Sequence, residues 1–73
     1  METIGFLEFN SIAKGIEAAD AVLKAAAVSL IFSRAGCPGK YYLLFYGEVA
    51  AVKASIDAGI TCAGQHVVDS CVI

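Results

Sequence analysis

Residues 28–46 read VSLIFSRA-GCPGK-YYLLFY, and they contain the clearest folding signal in the chain. Both ends of this segment are apolar and rich in β-branched or aromatic residues, which is typical of strands. The segment therefore predicts a strand over 28–35, a second strand over 41–46, and a hairpin connection between them.

The connection is the loop Gly36-Cys37-Pro38-Gly39-Lys40. Pro38 lacks a backbone donor and fixes its own φ, whereas the two glycines allow a sharp change of direction. We expect a short, stiff projection with the thiol of Cys37 at its tip.

Strand and helix patterns alternate along the rest of the chain. Residues 3–9 are apolar and partly β-branched, as in a strand, and Asn10-Ser11 supply N-cap chemistry for a helix over 11–26. A second helix is predicted between Gly47, which breaks the strand pattern, and Gly64, which favours a C-terminal stop.

A final strand over 67–73 completes the order β-α-β-β-α-β, which is the ferredoxin-like split βαβ pattern. We therefore predict an α+β fold for a single domain over 1–73, with one antiparallel sheet and two helices on one of its faces. The apolar residues expected to face the sheet recur at helical spacing. They are Ile12, Ile16, Ala19, Leu23 and Ala26 in the first helix, and Val49, Val52, Ile56, Ile60 and Ala63 in the second.

The composition indicates that the chain associates with copies of itself. It has 73 residues, of which 59% are hydrophobic and 16% are charged. A chain of this length buries only about 60% of the surface that its unfolded form exposes. The surplus apolar surface requires a partner, and a further copy of the chain is the simplest one.

Charge and hydropathy argue against two other classes of partner. The net charge is −2 and the five basic residues are scattered, so no basic stripe is available to follow nucleic-acid phosphates. The longest uncharged apolar run, 25–33, is far shorter than the roughly 20 residues of a membrane-spanning helix. The N-terminus lacks the basic start of a signal peptide, so we expect a cytosolic protein with reduced thiols.

The three cysteines are spaced far apart and do not form a disulfide framework or a ligand motif within one chain. Cys62 and Cys71 fall in a helix and a strand, where a free cysteine usually packs as a small buried hydrophobe. His66 has no cysteine or acid at ligand spacing, and we interpret it as a turn residue after Gly64. On spacing alone, Cys37 is simply a turn residue with a thiol.

Two helical segments resemble the bacterial microcompartment shell proteins. The first helix of that family is similar to GIEAADAVLKAA, residues 15–26, and the second is similar to GEVAAVKASIDAG, residues 47–59. The similarity extends over almost the whole chain. One branch, the tandem-domain trimeric shell proteins of propanediol-utilization compartments, resembles this chain in its first half through SIAKG at 11–15 and CPGK at 37–40.

The resemblance implies a structural role and no enzymatic activity. It implies a homo-oligomeric tile that packs with itself and with other shell proteins in a cytoplasmic bacterial microcompartment. In that branch, loop cysteines of three subunits converge on the central axis and hold a 4Fe–4S cluster, and Cys37 is the matching position. The cluster would transfer electrons across the shell to serve a redox enzyme of the lumen.

The resemblance also implies a role for Lys24, which would lie at the tile edge and pair against neighbouring tiles. The simpler interpretation of Lys24 is a solvated helix residue balanced by Asp20, four positions earlier. One departure concerns the number of cysteine ligands. The relatives carry two shell domains per chain, whereas residues 1–73 match only the first. A trimer of such chains presents three loop cysteines, whereas a true hexamer of single domains would present six copies of Cys37.

Two alternatives for the loop 36–40 stay open. A metal-free tile would use it as the rim of a central pore for small metabolites. A monomeric ferredoxin-like metal carrier or thiol enzyme belongs to a different class, and the C-x-x-C pair usual for such chemistry is missing.

Overall fold

The computed structural model describes residues 2–73, which form four strands, two α-helices and one short 3₁₀ helix. In chain order the elements are β1 (Glu2–Phe9), α1 (Ile12–Ala25), β2 (Val28–Gly36), β3 (Lys40–Glu48), α2 (Val49–Ala63), the 3₁₀ helix (Gly64–His66) and β4 (Val67–Val72). The predicted order of elements is confirmed, with small shifts at the boundaries.

The helix ends follow the predicted capping chemistry. Ser11 is the N-cap of α1, and its Oγ accepts a hydrogen bond of 3.2 Å from the backbone N–H of Lys14. Gly64 ends α2 with φ +56, and its N–H donates to the carbonyl of Ile60. A left-handed φ of this kind favours glycine because other residues pay a steric penalty from Cβ.

The four strands form one antiparallel sheet in the order β2-β3-β1-β4. The buried residues of β1 and β3 alternate with more exposed ones, so one face of the sheet is covered. Both helices contact this sheet and each other, which places them together on the covered face. The predicted α+β class and the two-layer arrangement are confirmed.

The core lies between the covered face and the two helices. The largest fully buried apolar side chains come from both layers: Leu7, Phe9, Leu43 and Phe45 from the sheet, and Val22 and Val52 from the helices. Full burial of such a side chain stabilises the fold by roughly 1.5–3 kcal/mol relative to leaving it exposed. The sheet strands β1 and β3 therefore provide most of the large core residues.

The predicted inner face of α1 is correct at Ala19, which is partly buried against the core, and wrong at its three large residues. Ile12, Ile16 and Leu23 are exposed by 40%, 56% and 41%, whereas the buried residues are Gly15, Ala18 and Val22. The reason is the short distance between α1 and the sheet at this point, which leaves no room for a large side chain between them. A Cβ on Gly15 would stand 2.4 Å from Cδ2 of Tyr41, so only a residue without a side chain fits there. The helix packs through its small residues and exposes its large ones.

The predicted inner face of α2 is correct at Val52, Ile56 and Ala63, and wrong at Val49 and Ile60, which are exposed. The buried positions also include a serine and a glycine that the periodicity did not select. Ser55 is fully buried, and its Oγ donates a hydrogen bond of 3.1 Å to the carbonyl of Val22, which joins the two helices.

The sheet face opposite the helices, here called the outer face, is only partly covered by its own side chains. Phe6, Tyr42 and Leu44 on this face are half-buried, and the Phe6 and Tyr42 rings stack with centroids 6.3 Å apart. Cys71 pairs with Phe6 across β1 and β4 and is exposed, so the expectation that it is buried is wrong. β4 is an edge strand without a covering helix on that side, which leaves this thiol accessible.

Candidate functional site

The turn between β2 and β3 consists of Cys37, Pro38 and Gly39 alone. Gly36 and Lys40 face each other as the last pair of the hairpin, so the predicted five-residue loop is shorter by one residue at each end. Gly39 has φ +65, which allows the three-residue connection. The Cys37–Pro38 peptide bond is cis. All three turn residues are exposed, and the thiol of Cys37 stands at the tip as predicted.

The base of the turn is covered by an aromatic ring. A Cβ on Gly36 would stand 2.4 Å from Cε2 of Tyr42, so the ring edge lies directly against the Gly36 backbone. β2 is an edge strand of the sheet. A ring from the neighbouring strand commonly shields a glycine in this situation. The turn therefore projects from a packed base.

Charged side chains flank the same base. Lys40 Nζ lies 3.5 Å from Glu8 Oε2, and both side chains are largely withdrawn from solvent, with 29% and 23% exposed. Arg34 lies opposite Tyr42 in the β2–β3 register, and its guanidinium carbon is 5.3 Å from the centre of the Phe32 ring. Lys40 and Arg34 put two cations on the strands that carry the turn.

Lys24 lies far from this site. It is in the last turn of α1, which leads away from the hairpin turn towards the start of β2. Its side chain is 76% exposed, and its Nζ lies 3.1 Å from Asp20 Oδ2. The predicted pair with Asp20 is confirmed. The role of Lys24 at a tile edge stays a prediction.

The other thiols do not join Cys37. Cys62 is partly buried and packs against the core from α2, as expected for a small hydrophobe. His66 lies in the 3₁₀ helix, and its Nδ1 is 3.0 Å from Asn10 Oδ1, which agrees with its prediction as a turn residue. Within residues 2–73, no three His, Cys, Asp or Glu side chains are grouped as metal ligands. A metal centre at Cys37 would therefore need thiolates from several copies of the chain.

Sequence reasoning missed Tyr42 and Glu8, which hold the base of the turn. The signal for Tyr42 is the alternation of side chains along β3, which puts Lys40 and Tyr42 on the same face of the sheet. Gly36 lies opposite Lys40 on the neighbouring strand, so it shares that face. The partner Glu8 depends on the register between β1 and β3, in which Glu8 lies opposite Tyr42. None of the helices in the described part of the chain has the length and apolar character needed to cross a membrane.

Comparison with known proteins shows the family. The model of the BMC domain matches residues 3–73. The chain is 50% identical over 72 residues to the bacterial microcompartment shell protein PduT of Citrobacter freundii, which covers 99% of this chain and 39% of PduT. It is 39% identical over 62 residues to the shell protein PduA of the same organism, which covers 85% of this chain and 67% of PduA.

A solved structure agrees with these relatives. The crystal structure of a microcompartment protein from Desulfitobacterium hafniense superposes with a TM-score of 0.97 at 55% identity, over the whole of this chain and 41% of that one. The chain thus spans about two fifths of the length of PduT and of this solved protein. PduT and PduA are structural shell proteins of microcompartments, not enzymes. The chain therefore belongs to the BMC domain family, and it is a shell domain of a bacterial microcompartment.

Proposed function

We propose that copies of this chain form (pseudo)hexameric tiles whose 37–39 turns converge on the central axis, where Cys37 thiolates share a 4Fe–4S cluster that transfers electrons across the shell. The observation that carries this proposal is the position of Cys37. Its thiol is exposed at the tip of a hairpin with a packed base, away from the other cysteines of the chain. One Cys37 thiolate per chain could form a set of cluster ligands only if the turns of several symmetry-related chains meet.

The exposed apolar surface supports the tile. Large apolar side chains with at least a third of their surface exposed lie on α1, on the edge strand β2 and on β4. They include Ile12, Ile16, Leu23, Leu30, Ile31, Val68 and Val72, and Ile73 follows directly after β4. Exposed apolar residues on both edges of the sheet and on α1 are surface that contacts with other chains could bury. Contact with neighbouring copies would cover it.

The residues of the turn suit a thiolate ligand. Iron–sulfur clusters are held by deprotonated cysteines. Pro38 and Gly39 leave the backbone at the tip narrow, so several turns can approach one axis. When bound, the cluster would accept and release single electrons without opening a passage for metabolites.

The partners and setting belong to the same proposal. Other shell proteins would surround the tile, with Lys24 at its edge, and a redox enzyme of the lumen would exchange electrons with the cluster. The propanediol-utilization compartment is the proposed setting because PduT and PduA are among the relatives. Three copies of Cys37 would serve a tandem-domain trimer, and six would serve a hexamer of single domains.

Anaerobic reconstitution with iron and sulfide tests the cluster. We expect a broad visible absorbance, a paramagnetic signal after reduction or oxidation, and iron in proportion to the number of tiles. Cys37→Ser should abolish all three, whereas Cys71→Ser, which removes the other exposed thiol, should retain them. A Cys37→Ser protein that binds as much iron and sulfide as the wild type contradicts the proposal.

A metal-free pore is the second candidate, and the narrow turn favours it. Gly39 carries no side chain and the three turn residues are exposed, so converging turns would leave a rim of backbone amides for small metabolites. Flux of a small metabolite through closed shells distinguishes the two functions. The pore proposal expects flux in cluster-free protein that is reduced by a bulky substituent on Cys37. Equal flux with and without that substituent contradicts it.

A further inference from the structure

We propose that Tyr42 is the positioning residue of the hairpin turn, and that it fixes the direction in which Cys37 presents its thiol. The use of this direction for a shared cluster rests on the proposed function. The positioning itself rests on contacts within one chain, on the outer face of the sheet.

The first contact is between Tyr42 and the backbone that enters the turn. Cε2, Cζ and Cδ2 of the Tyr42 ring lie 2.4, 3.2 and 3.3 Å from the place where a Cβ of Gly36 would stand. Gly36 is the residue directly before Cys37. The ring therefore blocks movement of this backbone towards the outer face, on a strand that has a neighbour on one side only.

The second contact fixes the ring itself. Tyr42 stacks on Phe6 of β1 with an interplanar angle of 22° and centroids 6.3 Å apart. β3, which carries Tyr42, and β1, which carries Phe6, are the two inner strands of the sheet. The stack therefore fixes the ring between the two inner strands, and from there the ring contacts Gly36 on the edge strand β2. Both rings are half-buried, so the contact excludes part of the solvent from each.

The third contact holds the residue after the turn. Lys40 Nζ is 3.5 Å from Glu8 Oε2, and Glu8 lies opposite Tyr42 in the β1–β3 register. The residues before and after the turn are thus both held from β1, one through the ring of Tyr42 and one through an ion pair. A shared metal site needs this support, because ligands must lie within about 0.5 Å of their productive positions.

Spin labelling of Cys37 tests the positioning without any cluster. In a Cys62→Ala, Cys71→Ser background, a nitroxide is attached sparsely at Cys37 and its mobility is measured by electron paramagnetic resonance. Tyr42→Leu should shorten the rotational correlation time several-fold, whereas Tyr42→Phe should match the parent protein. Tyr46→Leu, a matched change on the same strand and an exposed ring, should also match the parent.

A second variant perturbs the same contact from the other side. Gly36→Ala displaces the ring of Tyr42 while leaving it in the sequence, and it should mobilise the label as Tyr42→Leu does. Circular dichroism verifies that each variant keeps its fold. An unchanged label spectrum in both folded variants, or loss of order in Tyr46→Leu to the same extent, overturns the positioning role.

Reconstitution separates this inference from the proposed function. If the wild type binds a cluster, Tyr42→Leu should shift its reduction potential or lower its occupancy, and Tyr42→Phe should restore both. An unaltered cluster in Tyr42→Leu overturns the link to cluster geometry. If the wild type binds none, the cluster proposal fails, and the label mobilities still decide the role of Tyr42.

Discussion

Gly15→Ala and Gly59→Ala are the same substitution in two buried helix interiors, and the packing around them separates their effects. In both, alanine raises the intrinsic helix stability by roughly 0.8–1 kcal/mol. At Gly15 the new methyl carbon would stand 2.4, 2.5 and 2.6 Å from Cδ2, Cγ and Cβ of Tyr41. Tyr41 Cβ is fixed by the backbone of β3, so α1 itself has to move away from the sheet.

At Gly59 the methyl carbon meets more adaptable neighbours. Cδ1 of Leu7 would be 2.7 Å away and Cγ2 of Val22 would be 3.1 Å away, and both atoms are the ends of their side chains. Overpacking of a core typically costs about 1–3 kcal/mol. With the helix gain included, we expect Gly15→Ala to lower the free energy of unfolding by about 1–2 kcal/mol and Gly59→Ala to change it by less than about 1 kcal/mol.

Thermal and urea unfolding measure this difference by circular dichroism. Equal protomer concentrations are needed, because the stability of an assembling protein depends on concentration. Ala54→Gly, at an exposed interior position of α2, is the control for helix propensity alone and should cost about 0.8–1 kcal/mol. A Gly15→Ala protein that equals or exceeds Gly59→Ala in stability refutes the packing argument.

Three further substitutions test other parts of the structure. Gly39→Ala places a Cβ on a residue with φ +65, and this backbone strain should lower the free energy of unfolding by about 1–2 kcal/mol. Urea unfolding measures the change, and an unchanged unfolding midpoint contradicts the presence of strain. Leu43→Ala removes a fully buried side chain and should cost about 2–5 kcal/mol, seen as a lower melting temperature, and a loss below about 1 kcal/mol contradicts its place in the core. Lys24→Ala breaks an exposed ion pair worth about 0.5 kcal/mol or less, so unfolding should not change, whereas tile sheets seen by electron microscopy should be lost. Intact sheets of the Lys24→Ala protein contradict its role at a tile edge.

Most of the fold followed from local signals in the sequence. The hairpin was predicted from two β-rich segments around Pro38, and the structure confirms the exposed thiol of Cys37 at its tip. The caps at Ser11 and Gly64 were equally local, since each depends on a side chain or a φ value of one residue. Signals of this kind need no knowledge of distant partners.

The inner face of α1 was not predictable in this way. Periodicity selects large apolar residues, and Ile12 and Ile16 satisfy the helical spacing as well as any core pair. The face that packs inwards is chosen by the shape of the opposing layer, where Tyr41 leaves room only for Gly15. An apolar helix in an assembling protein can bury one face in its own chain and offer another to its neighbours.

The support of the turn was also beyond local reasoning. Tyr42 on β3 contacts Gly36 on the neighbouring strand β2, and it stacks on Phe6 of β1, which is far away in sequence. Both contacts require the strand order and the register to be known first. The sequence therefore identifies the turn residue Cys37, whereas Tyr42 and Glu8, which support the turn, become evident only from the three-dimensional structure.

The strand order has a consequence for how the domain is made on the ribosome. β1 is synthesised first, yet its two neighbours, β3 and β4, emerge much later, and Leu7 meets Ser70 only when nearly all of the described chain has been translated. Until β4 pairs with it, β1 has one unfilled hydrogen-bonding edge. Non-local pairing of this kind slows folding and exposes unpaired strands to aggregation. Correct folding therefore requires β4 to close that edge before another chain pairs with it.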